Sequence, residues 1–281
     1  MLTSQSNGVE ISLPGFSLSD TLNCGQAFRW EQTAENAFSG IHCGKNLTVS
    51  QNGDTVRFWG VTEEEFSDVW AVYFDLDTDY NAMKAVFSAD PTLKKACRFC
   101  GGIRLLRQDP WEALCSFIIS QNNNIPRIKG IVGRLCAEFG DPCGEGFSFP
   151  GPERLAACSA EELAPLRAGF RAKYILDAAR KVSDGTVRLD KIPALPMEEA
   201  RAELQKISGV GPKVAECALL YGFHRLEAFP VDTWIKKALA EFYPQGFPAF
   251  AEPRGVAQQY LFHYIRRGNP AVMPPRQDTS R

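Results

Sequence analysis

The sequence predicts an α+β fold, in which an N-terminal antiparallel β-sheet domain is followed by a mostly α-helical domain. Two observations carry that prediction. Up to Val61 the chain runs in short aromatic or β-branched segments broken by turn residues. From Thr62 onward, apolar residues recur at helical spacing in segments that often end at Gly or Pro. The boundaries drawn from this change are 1–90 for the sheet domain and 91–268 for the helical domain. Residues 269–281 form a polar, proline-rich tail that reads as disordered.

The expected strands lie in "GVEISLPGF", "FRWEQ", "AFSGIHC", "NLTVSQ" and "TVRFWGV", with a turn at Gln51-Asn52-Gly53-Asp54. Thr62 then reads as an N-cap, and Glu65 three residues later completes a capping box. Helical periodicity follows in "TEEEFSDVWAVYFDL", "PWEALCSFIISQ", "IPRIKGIVGRLCAEFG", "AEELAPLRAG", "RAKYILDAARKV", "MEEARAELQKI", "PKVAECALLYGF", "DTWIKKALAEFY" and "EPRGVAQQYLFHYIRR".

Composition narrows the class. A net charge of −2 gives no global pull toward nucleic acid, so any such binding must come from local patches. Nine cysteines without framework spacing, several inside apolar helical runs, indicate reduced thiols. "CRFC" at Cys97–Cys100 has zinc-like spacing but no matching second pair, and reads as two buried helix cysteines. No apolar run approaches the length of a membrane span, and the opening "MLTSQSNGVE" has no signal-peptide pattern. A soluble, intracellular monomer is expected, cytoplasmic or nucleoid-associated if bacterial.

Residues 201–223 read as helix, tight turn, helix. In "SGVGPK", Gly209 and Gly211 can supply the positive φ of a sharp reversal, and Pro212 suits the first helical position. The free N–H groups at that helix start can receive a phosphate. Lys213 sits in the first turn, where the helix dipole disfavours a cation and so favours a nucleophilic free amine. Asp232, in "FPVD", reads as an N-cap of the next helix. Each feature alone has an ordinary explanation: a common helical hairpin, a snorkelling lysine, a cap. Their joint occurrence does not.

Hairpin, lysine and "PVD" resemble the helix-hairpin-helix, Gly/Pro-rich, aspartate superfamily of DNA base-excision glycosylases. With "GQAFRW", "RLLRQDPWEALCSFIISQNNNIPRI" and "AQQYLF" the chain is similar to the 8-oxoguanine DNA glycosylase/AP lyase family, in order along nearly its whole length. The resemblance implies a bifunctional enzyme acting on double-stranded DNA that contains 8-oxoguanine, preferably opposite cytosine. It would flip out the damaged base, release it and nick the strand through a lysine Schiff base. It implies Lys213 as nucleophile and Asp232 as the essential carboxylate.

In the base pocket, the resemblance implies Gly25 as carbonyl reader, Cys217 and Phe262 as stacking walls, and Gln258 as the amide on the pairing edge. Against the DNA it implies Asn122 filling the vacated space and touching the estranged cytosine, Phe170 as wedge, and Arg171 reading that cytosine, with Arg127 a further DNA-binding residue on the positive face. Gly209 and Gly211 belong to the phosphate-binding hairpin. Singly, "QNNN" also fits a polar helix end, the arginines a solvated surface, and Cys217 and Phe262 core packing. Where much of the family has Val-X-His after the aspartate, this chain has Thr233 and Trp234. No cofactor is implied. The last cysteine is Cys217, so the iron–sulfur pattern that follows the aspartate elsewhere in the superfamily cannot form. A cation at the hairpin, held by the carbonyls of Gln205, Ile207 and Val210, is the one metal expected. A noncatalytic hairpin module, a water-using glycosylase for alkylated purines and a purely structural helical protein are the competing readings. Lys213 argues against the second.

Overall fold

The computed structural model describes residues 3–5 and 8–268; the tail expected to be disordered lies outside them. Strands β1 (Thr3–Gln5), β2 (Gly8–Ser12), β3 (Trp30–Ala34), β4 (Ala37–His42), β5 (Lys45–Asn52) and β6 (Thr55–Trp59) form one antiparallel sheet in the order β1-β2-β6-β5-β4-β3. Alternate residues of a strand share a face, and here that face is apolar. Val9, Phe58, Val49 and Phe38 pair in a row across four strands, all buried. The predicted turn closes β5 onto β6 with Asn52 opposite Thr55 and Gly53 at φ +56°.

Thr62 caps the next helical segment as expected, its Oγ1 accepting from the Glu65 N–H at 3.1 Å. The capping box is only half made, however. The Glu65 carboxylate turns to the Trp70 indole N–H at 3.3 Å and to Lys45 at 3.6 Å. The helix also widens into a π turn over Phe66–Trp70, and Phe66, Trp70, Tyr73 and Phe74 all join the core beneath the sheet.

The helices that matter for the site are α1 (Leu18–Asn23), α2 (Tyr80–Phe87), α3 (Pro91–Cys100), α4 (Pro110–Ile119), α5 (Ile125–Phe139), α6 (Arg171–Ser183), α7 (Met197–Gln205), α8 (Pro212–Tyr221), α9 (Thr233–Phe242) and α10 (Arg254–Arg267). Helix α1, capped by Ser17, was not anticipated: six residues are too few to show a period. Helices α4 and α8 are buried almost all round and pack on each other, so they read as continuous apolar runs.

Two hydrophobic cores result. One gathers residues from Val9 to Leu76 with Leu106; the other runs from Tyr80 through α10 but also takes in Cys24 and Phe28. The segment between those two residues, which carries Gly25, is therefore clamped where the cores meet. All nine cysteines are free thiols, with Cys100 buried and Cys97 only half-buried. Among the described residues no helix is long and apolar enough to cross a membrane, and no cluster of His, Cys, Asp and Glu is arranged to hold a metal.

Candidate active site

A cleft of about 650 Å³ opens between α4, the hairpin ahead of α8, the start of α9 and α10. It is lined by Gly25, Asn122, Gly211, Lys213, Cys217, Asp232, Gln258 and Phe262, eight residues drawn from five separate stretches of chain.

The hairpin forms as its glycines require, with one correction. Gly209 takes the left-handed conformation, φ +79°, whereas Gly211 is extended at φ −89° and serves as N-cap of α8 with Pro212 in the first turn. Helix α6 holds the turn: Asp177 accepts from the Ser208 N–H at 2.7 Å, and Lys181 donates to the Lys206 carbonyl at 2.7 Å. The Tyr174 ring lies so close that a Cβ on Gly209 would sit 2.4 Å from its Cδ2. Gly209→Ala combines that clash with positive-φ strain and should cost about 2–4 kcal/mol of stability, read as a lowered Tm. An unchanged Tm would show that the turn is not as rigid as this packing requires. Of the carbonyls expected to hold a cation, that of Ile207 accepts from the Val210 N–H at 3.0 Å and closes the turn; Gln205 is the last residue of α7.

Lys213 is half-buried, and its Nζ donates to the Ser120 hydroxyl at 3.2 Å and lies 5.4 Å from the centre of the Phe117 ring. Ser120 was missed in the sequence because a lone serine at the end of a helix carries no signal. Asp232 caps α9 as predicted, Oδ1 accepting from the Ile235 N–H at 2.8 Å. The loop before it is tied to the lysine helix. Glu216, buried in α8, accepts both from the Phe229 backbone N–H and from the Arg201 guanidinium. One helix thus presents Lys213 and Cys217 and also braces the loop that carries Asp232.

The same loop orients the amide opposite. Gln258 is buried, and its Nε2 donates to the Pro230 carbonyl at 3.0 Å. Its Oε1 is left without a partner among the described residues. An unsatisfied buried acceptor in a concave site is costly unless a ligand donor meets it. Cys217 stays a neutral thiol, because burial raises its pKa more than the nearby Lys213 lowers it. Gly25 adopts φ +88°. Its flanks are pinned: the Cys24 carbonyl accepts from Gln259 Nε2 at 3.5 Å, and the Gln26 amide bonds Thr21, Arg104 and Leu106.

The residues expected to touch DNA divide into two groups. Asn122 is exposed and left-handed at φ +47°, Arg127 is exposed in the first turn of α5, and the Phe170 ring is 46% exposed. Arg171, by contrast, is buried. It donates to the carbonyls of Gln121, Ala168 and Asn122, so it braces the "QNNN" turn and is not a free arginine on the surface. Burial also lowers its pKa, with repulsion from Arg127 adding to the effect.

Comparison with known proteins agrees with the order of a sheet domain followed by a helical one. Residues 9–114 match the 8-oxoguanine DNA glycosylase N-terminal domain, and residues 115–246 match the HhH-GPD superfamily of base excision DNA repair proteins. The N-glycosylase/DNA lyase of Saccharomyces cerevisiae is 32% identical over 78% of this chain and 66% of its own length, so the chain spans about two thirds of that relative. A solved structure of MBOgg1 with a low-affinity DNA ligand is 40% identical, with a TM-score of 0.90 over 95% of this chain and 98% of that one. The Clostridium acetobutylicum 8-oxoguanine glycosylase/lyase, solved with double-stranded DNA containing cytosine opposite 8-oxoguanine, is 38% identical with a TM-score of 0.87 over 95% and 97%. A sheet domain followed by a hairpin-bearing helical domain thus has its counterpart in the two halves of the match: the chain belongs to the 8-oxoguanine DNA glycosylase family within the HhH-GPD superfamily of base excision repair proteins.

Proposed function

We propose that the protein removes 8-oxoguanine from duplex DNA, preferably opposite cytosine, and then nicks the strand as an AP lyase. The observation that carries this reading is the complementarity of one cleft to one base. The free Gln258 Oε1 suits the donors N1–H and N2–H on a guanine-type pairing edge, and Cys217 and Phe262 supply apolar walls. The Gly25 carbonyl is the acceptor for the N7–H that 8-oxoguanine has and guanine lacks, worth roughly 10- to 10²-fold in discrimination.

Lys213 and Asp232 then divide the chemistry. The lysine amine adds to C1′ as the C1′–N9 bond breaks, and the departing base takes the proton shed by the new secondary ammonium. The Asp232 carboxylate stabilises the positive charge that builds on the sugar. Opening of the sugar ring gives the Schiff base, and loss of a C2′ proton expels the 3′-phosphate. No cofactor enters these steps. A cation on the carbonyls of Gln205, Ile207 and Val210 would serve phosphate binding.

Opposite the lesion, Asn122 fills the vacated space and Phe170 wedges the stack. Arg127 is the exposed donor for the two acceptors of cytosine, O2 and N3, with Arg171 joining it once its carbonyl partners yield. The protein acts as an intracellular monomer. The test is a duplex with a single 8-oxoguanine opposite cytosine or adenine, resolved on a gel with and without alkali. Nicking without alkali, faster opposite cytosine, is expected. An intact strand under both conditions would remove the proposal.

A further inference from the structure

Arg266 has no place in the machinery described so far, yet it lines the cleft. It stands one turn beyond Phe262 and two beyond Gln258, and residues four apart share a helix face, so the three form a row about 12 Å long on α10. Its guanidinium carbon lies 5.7 Å from the centre of the Phe262 ring. On the other side, its Nη1 lies 3.4 Å from where a Cβ on Gly25 would be. Arg266 is half-buried and makes no hydrogen bond or ion pair with any described residue. Burial lowers its pKa, Arg267 adds repulsion, and Asp232 acts in the opposite direction. A guanidinium drawn partly out of water with its donors unspent is costly unless a ligand acceptor meets it.

The row fixes which acceptor. A purine lying on Phe262 with its pairing edge at Gln258 turns the opposite, imidazole edge toward Arg266 and Gly25. On that edge 8-oxoguanine carries N7–H beside the C8 carbonyl. A backbone acceptor next to a cationic donor is the complement of that pair. Building on the lesion reading above, we propose that Arg266 is a specificity-determining residue that donates to O8 of the flipped base. Guanine has only hydrogen at C8 and offers this donor nothing. The lesion is then read at two adjacent atoms, N7 by Gly25 and O8 by Arg266.

The experiment measures affinity of wild type, Arg266→Met and Arg266→Lys for four duplexes with cytosine opposite. Three carry guanine, a non-cleavable 2′-fluoro-8-oxoguanine, or 9-deazaguanine, which keeps N7–H but has hydrogen at C8. The fourth carries a tetrahydrofuran abasic analogue, which keeps the phosphates and has no base. Arg266→Met should weaken 8-oxoguanine binding about 10- to 10²-fold while changing 9-deazaguanine and abasic binding by less than about threefold, with Arg266→Lys recovering part of the loss. Retained abasic binding also shows that the variant is folded. Equal losses on the 8-oxoguanine, 9-deazaguanine and abasic duplexes would mean a phosphate contact and overturn the assignment to O8. Unchanged 8-oxoguanine binding would overturn it as well, and both results leave the lesion reading standing. A wild type that binds 8-oxoguanine no better than guanine would remove that reading and this contact together.

Discussion

Lys213→Gln should yield no covalent protein–DNA adduct when borohydride is added during turnover on an 8-oxoguanine duplex, whereas the wild type is trapped. Single-turnover base release should fall by at least ~10³-fold, since removing a nucleophile costs far more than removing a binding contact. Glutamine keeps most of the side-chain volume and can still bond Ser120, so duplex affinity should persist. Stability supplies an independent check. Lys213 lies half-buried at the N-terminal end of α8, where a cation opposes the helix dipole. Its removal should therefore leave the Tm unchanged or slightly higher. An undiminished adduct in the variant would end the nucleophile assignment. A collapse of Tm would assign the lost activity to folding.

What could be read in advance follows from how far each signal extends along the chain. Strand alternation and turn chemistry are local, so the Phe38–Val49–Phe58 face and the Gly53 turn were legible from a few residues each. The caps at Thr62 and Asp232 were equally local and equally legible. Brief or tertiary features were not. Helix α1 is too short to show a period, and the π turn at Phe66–Trp70 answers the needs of the core beneath the sheet. In the site, the bracing of the Asp232 loop by Glu216 joins residues 13 apart in sequence and that of Lys213 by Ser120 residues 93 apart. No short pattern records such distances. Arg171 was expected to face cytosine, and alone it fits a solvated surface; its burial by the carbonyls of Gln121 and Asn122 joins residues about 50 apart in sequence. Arg266 was not singled out, although its spacing from Gln258 and Phe262 repeats one helical turn.

Asp232, a cap in the structure and a charge stabiliser in the proposed reaction, allows the two roles to be separated within a single carboxylate. As N-cap of α9 its Oδ1 accepts from the Ile235 N–H, a contact worth about 1 kcal/mol against alanine. Asparagine is as good a cap, and its amide oxygen can take the same bond. Asp232→Asn therefore loses only the charge at the helix terminus, about 0.3–1 kcal/mol, and should lower the Tm slightly. The charge matters more in the proposed reaction, where positive charge develops on the sugar in the transition state and not before. In that role a fixed carboxylate, in a cleft lined by Phe117, Phe262 and Trp234, would stabilise that charge without reorganising, on a scale of ~10²-fold or more in rate. Base release by Asp232→Asn should thus slow by at least ~10²-fold at nearly wild-type stability and affinity for an abasic analogue. Asp232→Ala should lose the cap as well, and differ from Asp232→Asn in Tm far more than in rate. If Asp232→Asn melts early and yet turns over at the wild-type rate per folded molecule, the carboxylate is a cap and the charge on the sugar is met by another group.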